Sequence, residues 1–142
     1  MKYVDGFVII VPEENFVAYR KMAREGAQVW LKHGALDYKE CVGDDLLPNM
    51  GGMTPALTFP KMAKAEKNEN VWFSFIVYKS KAHRDQVNKK VMAEMDKKAK
   101  KYKDLPIPFD MRRFAYGGFK VVVDNDSRES RFKARNKRGG GV

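Results

Sequence analysis

The sequence is poor in the residues from which disulfides and metal sites are built. Its one cysteine, Cys41, excludes an internal disulfide and is typical of a reducing compartment. Its two histidines, His33 and His83, lie in different segments, and neither Cys-x-x-Cys nor His-x-x-x-His occurs. We therefore predict no metal site, and we expect Cys41 to be a small buried hydrophobic residue within a strand rather than a nucleophile.

Long apolar runs are also absent. No run reaches the roughly 18 residues that are needed to span a bilayer. The first apolar run contains Asp5, which is unlike a secretory signal peptide. We therefore expect a cytoplasmic protein with no membrane partner.

Basic residues outnumber acidic ones. The 142 residues include 28 Lys and Arg against 18 Asp and Glu, which gives a net charge of +10. Their 44% hydrophobic content predicts one globular domain over residues 1–124, followed by a basic, disordered tail over residues 125–142. Six cations in this tail would give a log–log salt slope of about −5 if all contacted duplex DNA. These cations are Arg128, Arg131, Lys133, Arg135, Lys137 and Arg138.

The first half of the domain has a strand–helix–strand pattern. Residues 3–11 are β-branched and aromatic and end at Pro12, which predicts a strand. A helix follows and ends at Gly34, because an apolar stripe recurs every three or four residues. This stripe comprises Phe16, Tyr19, Ala23, Ala27 and Trp30. Residues 36–42 alternate as a half-buried strand does, with Tyr38 and Glu40 on the same face.

The second half repeats the pattern after a long excursion. Residues 46–70 are rich in Pro and Gly and contain one predicted short helix, residues 59–65. Residues 71–78 form the clearest strand, and Ser80 then caps a second helix. The fourth strand is predicted over residues 114–123.

This order predicts an α+β fold of the ferredoxin-like, split βαβ kind. Such a fold has a four-stranded antiparallel sheet with two helices on one face. Because the strands are apolar on more than one face, a monomer would expose a large apolar surface on the other face. We therefore predict a homodimer in which two sheets pair to form a dimeric α+β barrel.

A joint pattern of short segments extends over about residues 2–124. The segments are Asp5-Gly-Phe-Val, Ala18-Tyr-Arg-Lys-Met-Ala, Trp30, His33-Gly-Ala-Leu-Asp-Tyr, Cys41-Val-Gly-Asp-Asp, Thr58-Phe-Pro, Phe73-Ser-Phe-Ile-Val-Tyr-Lys-Ser-Lys, Arg84-Asp, Asn88, Val91-Met92, Pro108-Phe-Asp and Tyr116-Gly-Gly-Phe. In this pattern the chain resembles the YbaA-like family of small bacterial proteins of unknown function. The resemblance implies the dimeric α+β barrel superfamily but no established catalytic residue. Haem-degrading relatives use a Trp and a His where Tyr78 and Asn88 stand here, so we expect no haem and no other cofactor.

Similar barrels bind small molecules between the sheet and the helices, so this resemblance also implies a place for a pocket. An aromatic pocket with a few polar groups is the usual design of a small-ligand site. The candidate catalytic residues are His33 and Arg84, although His33 also suits a plain helix end. The candidate ligand-binding residues are Asp5, Trp30, Tyr38, Glu40, Ser74, Tyr78 and Asn88, among which Tyr38 also suits the core.

Three hypotheses about function follow. The first is a homodimer that binds a small apolar or aromatic molecule, extended by fold analogy to a cofactor-free oxygenase- or isomerase-like enzyme. The second is a nucleic-acid-associated protein that uses its basic tail. The third is a structural or partner-binding dimer.

Overall fold

The computed structural model describes residues 1–49, 51–53 and 55–125. The strands are β1 (Tyr3–Pro12), β2 (Asp37–Val42), β3 (Glu69–Tyr78) and β4 (Ala115–Lys120). The helices are α1 (Phe16–Lys32), α2 (Phe59–Ala63) and α3 (Lys81–Tyr102), with single 3-10 turns at Glu13–Asn15 and Met111–Arg113.

The four strands form one antiparallel sheet in the order β2-β3-β1-β4. Each β-α-β half therefore places its two strands parallel to each other with a strand of the other half between them. This is the split βαβ arrangement, and it confirms the ferredoxin-like α+β fold that the sequence predicts.

Strand alternation divides the sheet into a helix-covered face and an open face. On the helix-covered face, Ile9 and Trp72 pack with Tyr19 of α1. Ile76 packs with Val87 of α3 in a second cluster on the same face. Both long helices therefore lie on one side of the sheet, as predicted.

The open face remains apolar and partly exposed in the single chain. Phe73 is 45% exposed and Phe119 is 62% exposed. The Phe119 ring lies across Gly6, where an added Cβ would come within 3.2 Å of the ring. Only one end of this face is well buried, at Ile10, near the place where α2 contacts β1 and β3.

Helix boundaries follow local backbone chemistry. Ser80 accepts a hydrogen bond from the His83 backbone N–H, which confirms it as the cap of α3. Gly34, with φ at +112°, follows the end of α1. Lys64 adopts the left-handed conformation with φ at 58°, so α2 ends at Ala63 rather than at residue 65 as predicted.

Two further predictions need correction. Cys41 is exposed, not buried, because β2 is an edge strand and Cys41 faces the open side of the sheet opposite Phe73. The fourth strand ends at Lys120 rather than at residue 123, because its partner β1 begins at Tyr3. The predicted tail cations lie outside the described residues, since description ends at residue 125.

Candidate functional site

A carboxyl group held by two tyrosines lies between α1 and β2. The Tyr19 hydroxyl donates a hydrogen bond to Glu40 Oε2 at 3.0 Å, and the Tyr38 hydroxyl donates to Oε1 at 2.9 Å. Ser74 on the adjacent strand β3 faces the same carboxyl, because register pairs it with Glu40. Alternation along β2 directs Tyr38 and Glu40 to the helix-covered face, as the sequence pattern indicated.

The electrostatics of this group are unusual for a glutamate. Burial raises the pKa of the Glu40 carboxyl above its ordinary value of 4.5, and hydrogen bonds from Tyr38, Tyr19 and Ser74 oppose that rise. Burial and the neighbouring Glu40 also raise the pKa of both the Tyr19 and Tyr38 hydroxyls, so each remains a proton donor. Within the described residues, Glu40 forms no ion pair with a Lys, Arg or His side chain.

Glu40 lies on the wall of an open groove of about 340 Å³ between α1 and the edge of the sheet. Aromatic and aliphatic side chains form most of the wall, and two arginines of α1 lie along it. The lining residues are Phe16, Arg20, Ala23, Arg24, Ala27, Tyr38, Glu40, Val42 and Trp72. The groove thus combines aromatic surface, an acid and two cations within reach of solvent.

A second carboxyl group, that of Asp5, lies on the same face of the sheet but is fully paired. Arg84 Nη1 of α3 donates to Asp5 Oδ1 at 2.7 Å, and the Asp5 residue is only 1% exposed. The same guanidinium lies 4.9 Å from the Tyr3 ring centroid and donates to the Tyr116 hydroxyl at 3.3 Å. Asp85 adds an exposed ion pair at 2.7 Å from Arg84 Nε.

An amide group connects this pair to α1. Asn88 Oδ1 accepts hydrogen bonds from Trp30 Nε1 at 3.1 Å and from the Tyr78 hydroxyl at 3.2 Å. Burial and the adjacent Asp5 raise the pKa of Tyr78. The Trp30 ring centroid lies 6.1 Å from that of Tyr38, so Trp30 stands between the two carboxyl groups.

The structure therefore separates the predicted site residues into two groups and one outlier. Tyr38, Glu40 and Ser74 form the Glu40 site. Asp5, Arg84, Asn88, Tyr78 and Trp30 form the hydrogen-bonded cluster beside it. His33 lies apart from both, at the end of α1, with Nε2 at 3.5 Å from Glu94 Oε1 of α3. The catalytic and ligand-binding roles assigned to these residues stay predictions.

Sequence reasoning missed the groove residues contributed by α1. Tyr19 appeared only as a core position, although its hydroxyl binds Glu40. Arg20 and Arg24 were not selected, although their spacing of four places them on one side of the helix. The signal was present in the sequence, because both arginines adjoin positions of the apolar stripe, Tyr19 and Ala23.

The described part of the chain shows no group of three or more His, Cys, Asp or Glu side chains that would hold a metal ion. Within the same residues, none of the helices combines the length and the apolar character of a membrane span. A further open cavity of about 350 Å³ lies between α2 and the start of β4. Arg113, which lines it, forms hydrogen-bonded ion pairs with Glu69 and Asp110.

Comparison with solved structures finds similar chains at low sequence identity. A dimeric ferredoxin-like protein from an uncultured marine organism is 11% identical with a TM-score of 0.46, covering 87% of this chain and 99% of that one. The de novo designed protein Foldit4 is also 11% identical, with a TM-score of 0.42, covering 85% and 99% of the two chains.

Sequence comparison finds much nearer relatives. The chain is 44% identical over 124 residues to the uncharacterised protein YbaA of Escherichia coli strain K12, covering 87% of this chain and 99% of YbaA. YbaA of Shigella flexneri matches with the same identity and coverage. The model of the family described as "Protein of unknown function (DUF1428)" matches residues 2–111. The chain therefore belongs to the DUF1428 family, as its resemblance to YbaA-like proteins predicts.

Proposed function

We propose that this protein is a homodimeric α+β barrel, with residues 1–124 as the barrel domain of each subunit, that binds a small aromatic or apolar molecule in the groove beside Glu40. One observation carries the proposal: on the wall of an aromatic groove, two tyrosine hydroxyls hold a carboxyl that has no cationic partner among the described residues. Concave sites with apolar walls and a few fixed polar groups are the usual form of small-molecule sites.

Each part of the groove has a distinct use in binding. Phe16 and Val42, which are 36% and 41% exposed, supply apolar surface for a ring system, and the buried Trp72 packs against Phe16 with their ring centroids 5.5 Å apart. Tyr19 and Tyr38 fix both oxygens of Glu40, so the carboxyl presents a defined direction to a ligand. A ligand hydroxyl or amide that meets Glu40 would therefore form a hydrogen bond of defined direction.

A proton-transfer enzyme of the isomerase kind is a second candidate for the same site. The raised pKa of Glu40 favours it, because general acid–base groups work best when their pKa approaches the ambient pH. In that case Glu40 would accept and return the proton, while Tyr19 and Tyr38 would hold the carboxyl in place.

Ligand binding is tested by narrowing the groove without disturbing its polar groups. We expect 2-naphthol, a neutral aromatic probe, to bind saturably and to shift the NMR signals of Tyr38 and Trp72. Ala27→Leu adds bulk to the groove wall at a half-buried helical position, so it should weaken binding about tenfold or more. The matched control is Ala93→Leu on α3, which makes the same change at an exposed helical position away from the groove.

Two results would overturn the binding proposal. One is the absence of saturable binding to the unmodified protein. The other is equal binding to Ala27→Leu and Ala93→Leu when both variants unfold at the same temperature as the parent. Shifts confined to Ala63 and Ala115 would instead assign binding to the cavity beside α2, and they too would contradict the Glu40 groove.

The open sheet face supports the dimer. Its uncovered part comprises Val4, Val8, Phe73, Phe75, Val77 and Phe119, a contiguous apolar surface across three strands. Monomeric proteins rarely expose an apolar patch of this extent. A second copy of the same face fits best, because twofold pairing of sheets covers both patches at once.

The dimer is tested by placing a charge on that face. We expect native mass spectrometry and sedimentation velocity at micromolar concentration to show a dimer for the unmodified protein and a monomer for Phe73→Glu. Leu31→Glu is the control, since Leu31 is 47% exposed on α1 and lies outside the sheet face. An unmodified protein that sediments as a monomer would refute the dimer.

A further inference from the structure

Two arginines on α1 give the Glu40 groove a positive character that binding of a neutral ligand does not require. Arg20 and Arg24 are four residues apart on one side of the helix, and both line the groove. Neither has a carboxylate within 4 Å in residues 1–49, 51–53 and 55–125. They therefore remain available to an anion from outside the chain.

Arg20 is already oriented by its surroundings. Its guanidinium carbon lies 5.4 Å from the centroid of the Phe16 ring, which also lines the groove. A guanidinium that stacks on an aromatic ring loses less side-chain entropy when it binds a carboxylate, and its paired N–H groups match the two carboxylate oxygens. Arg20 thus places an anion-binding fork beside an aromatic surface.

Glu40 is compatible with an anionic ligand despite its own acidic nature. Glu40 has no cationic partner among the described residues, and burial raises its pKa and favours the uncharged acid more than the hydrogen bonds from Tyr38 and Tyr19 oppose it. An uncharged carboxylic acid carries an O–H donor, which can bind an oxygen of the ligand. Even when Glu40 is ionised, the two arginines outnumber it.

We propose, on the basis of the proposed function, that the ligand of the Glu40 groove is a small aromatic carboxylate. Its ring lies against the exposed parts of Phe16 and Val42, its carboxylate meets Arg20 and Arg24, and Glu40 binds a polar group on the ring or beside the carboxylate. The groove would therefore prefer ligands that combine an aromatic ring with a negatively charged group placed near Arg20 and Arg24.

The test compares two probes of nearly the same shape and different charge. Isothermal titration at low salt should show 2-naphthoate binding about tenfold more tightly than 2-naphthamide. The double variant Arg20→Gln, Arg24→Gln should remove this preference, so that the affinities for the two probes come within about twofold of each other. Lys21→Gln is the matched control, because Lys21 is an exposed cation on the same helix that does not line the groove.

The possible outcomes separate this inference from the function on which it rests. If 2-naphthol and 2-naphthamide bind in the groove but 2-naphthoate is not preferred, the charge selectivity is wrong and small-molecule binding stands. If the preference persists in the double arginine variant or falls equally in Lys21→Gln, net protein charge is responsible and the inference is also overturned. If none of the three probes binds, the proposed function fails as well.

Discussion

Two carboxyl groups on the same face of the sheet have partners of opposite kinds, a cation for one and neutral hydroxyls for the other. Asp5 is buried against Arg84 in a direct ion pair at 2.7 Å. Glu40, two strands away, is held by the hydroxyls of Tyr19 and Tyr38 and adjoins an open groove. This difference is the basis for the proposal that the Asp5 pair stabilises the fold, whereas the Glu40 carboxyl binds a ligand.

The physical reason is the cost of burial. An unpaired buried charge costs several kcal/mol, so a fully enclosed carboxylate needs a cation and further hydrogen bonds. Asp5 meets that need through Arg84, itself oriented by Asp85 and Tyr116. Glu40 is only half-buried, and its raised pKa favours the protonated, uncharged form. An uncharged carboxyl does not need a cationic partner.

The largest expected effect comes from removing the cation of the paired site. Arg84→Met should lower the free energy of unfolding by about 3–5 kcal/mol, because it leaves the Asp5 carboxylate buried without a partner. Chemical denaturation at pH 7 measures this change. Asp85→Asn, which removes only the exposed ion pair of Arg84, should cost about 0–1 kcal/mol.

A double-mutant cycle sharpens this prediction. Asp5→Asn combined with Arg84→Met removes both charges and should recover part of the stability that Arg84→Met loses. A loss below about 1 kcal/mol for Arg84→Met alone would show that Asp5 is not dependent on its cation. The two carboxyl sites would then be equivalent, and the comparison would fail.

A smaller effect is expected from Glu40, because this group is partly exposed and solvent screens it. Its pKa is raised in the folded protein, so the native state binds its proton more strongly than the unfolded state does. This contribution to stability is complete below the unfolded pKa of about 4.5 and is lost as pH rises through the folded pKa. Glu40→Gln should therefore become more stable relative to the parent as pH increases through that window.

The measurement is the difference in unfolding free energy between Glu40→Gln and the parent at several pH values. Taking this difference cancels the opposite contributions of Glu69 and Asp110, whose pKa values are lowered by Arg113 and Arg112 among other partners. Tyr38→Phe should raise the pKa of Glu40 further, because the variant loses a hydrogen bond that lowers this pKa. NMR titration of the Glu40 side-chain carboxyl measures the change. A difference that does not vary with pH would contradict the raised pKa.

The fold and part of the candidate site could be predicted from the sequence. Regular alternation in β2 and the apolar stripe of α1 determined which side chains share a face, so Tyr38 and Glu40 were correctly placed together. The partners that come from other segments, Tyr19 for Glu40 and Arg84 for Asp5, were not predictable, because they depend on distances between segments far apart in the chain. Arg84 and Asp5, for example, are 79 residues apart yet form one ion pair.

Exposure was the other quantity that pattern reasoning did not provide. Cys41 has the residue type and the strand position of a core residue, but its strand lies at the sheet edge. Likewise, His33 has the chemistry of an acid–base group, but the end of α1 directs it towards Glu94. Strand order and helix rotation decide such cases, and both are properties of the whole fold.

The alternation of side chains along β3 limits where the chain tolerates an inserted or deleted residue. Ser74 faces the Glu40 carboxyl, whereas its immediate neighbours Phe73 and Phe75 face the open side of the sheet. One inserted or deleted residue within β3 would exchange these sets, so that the phenylalanines met Glu40 and the hydroxyl met the open face. Length variation is therefore excluded from β3, because a shift of one residue would disrupt both surfaces at once.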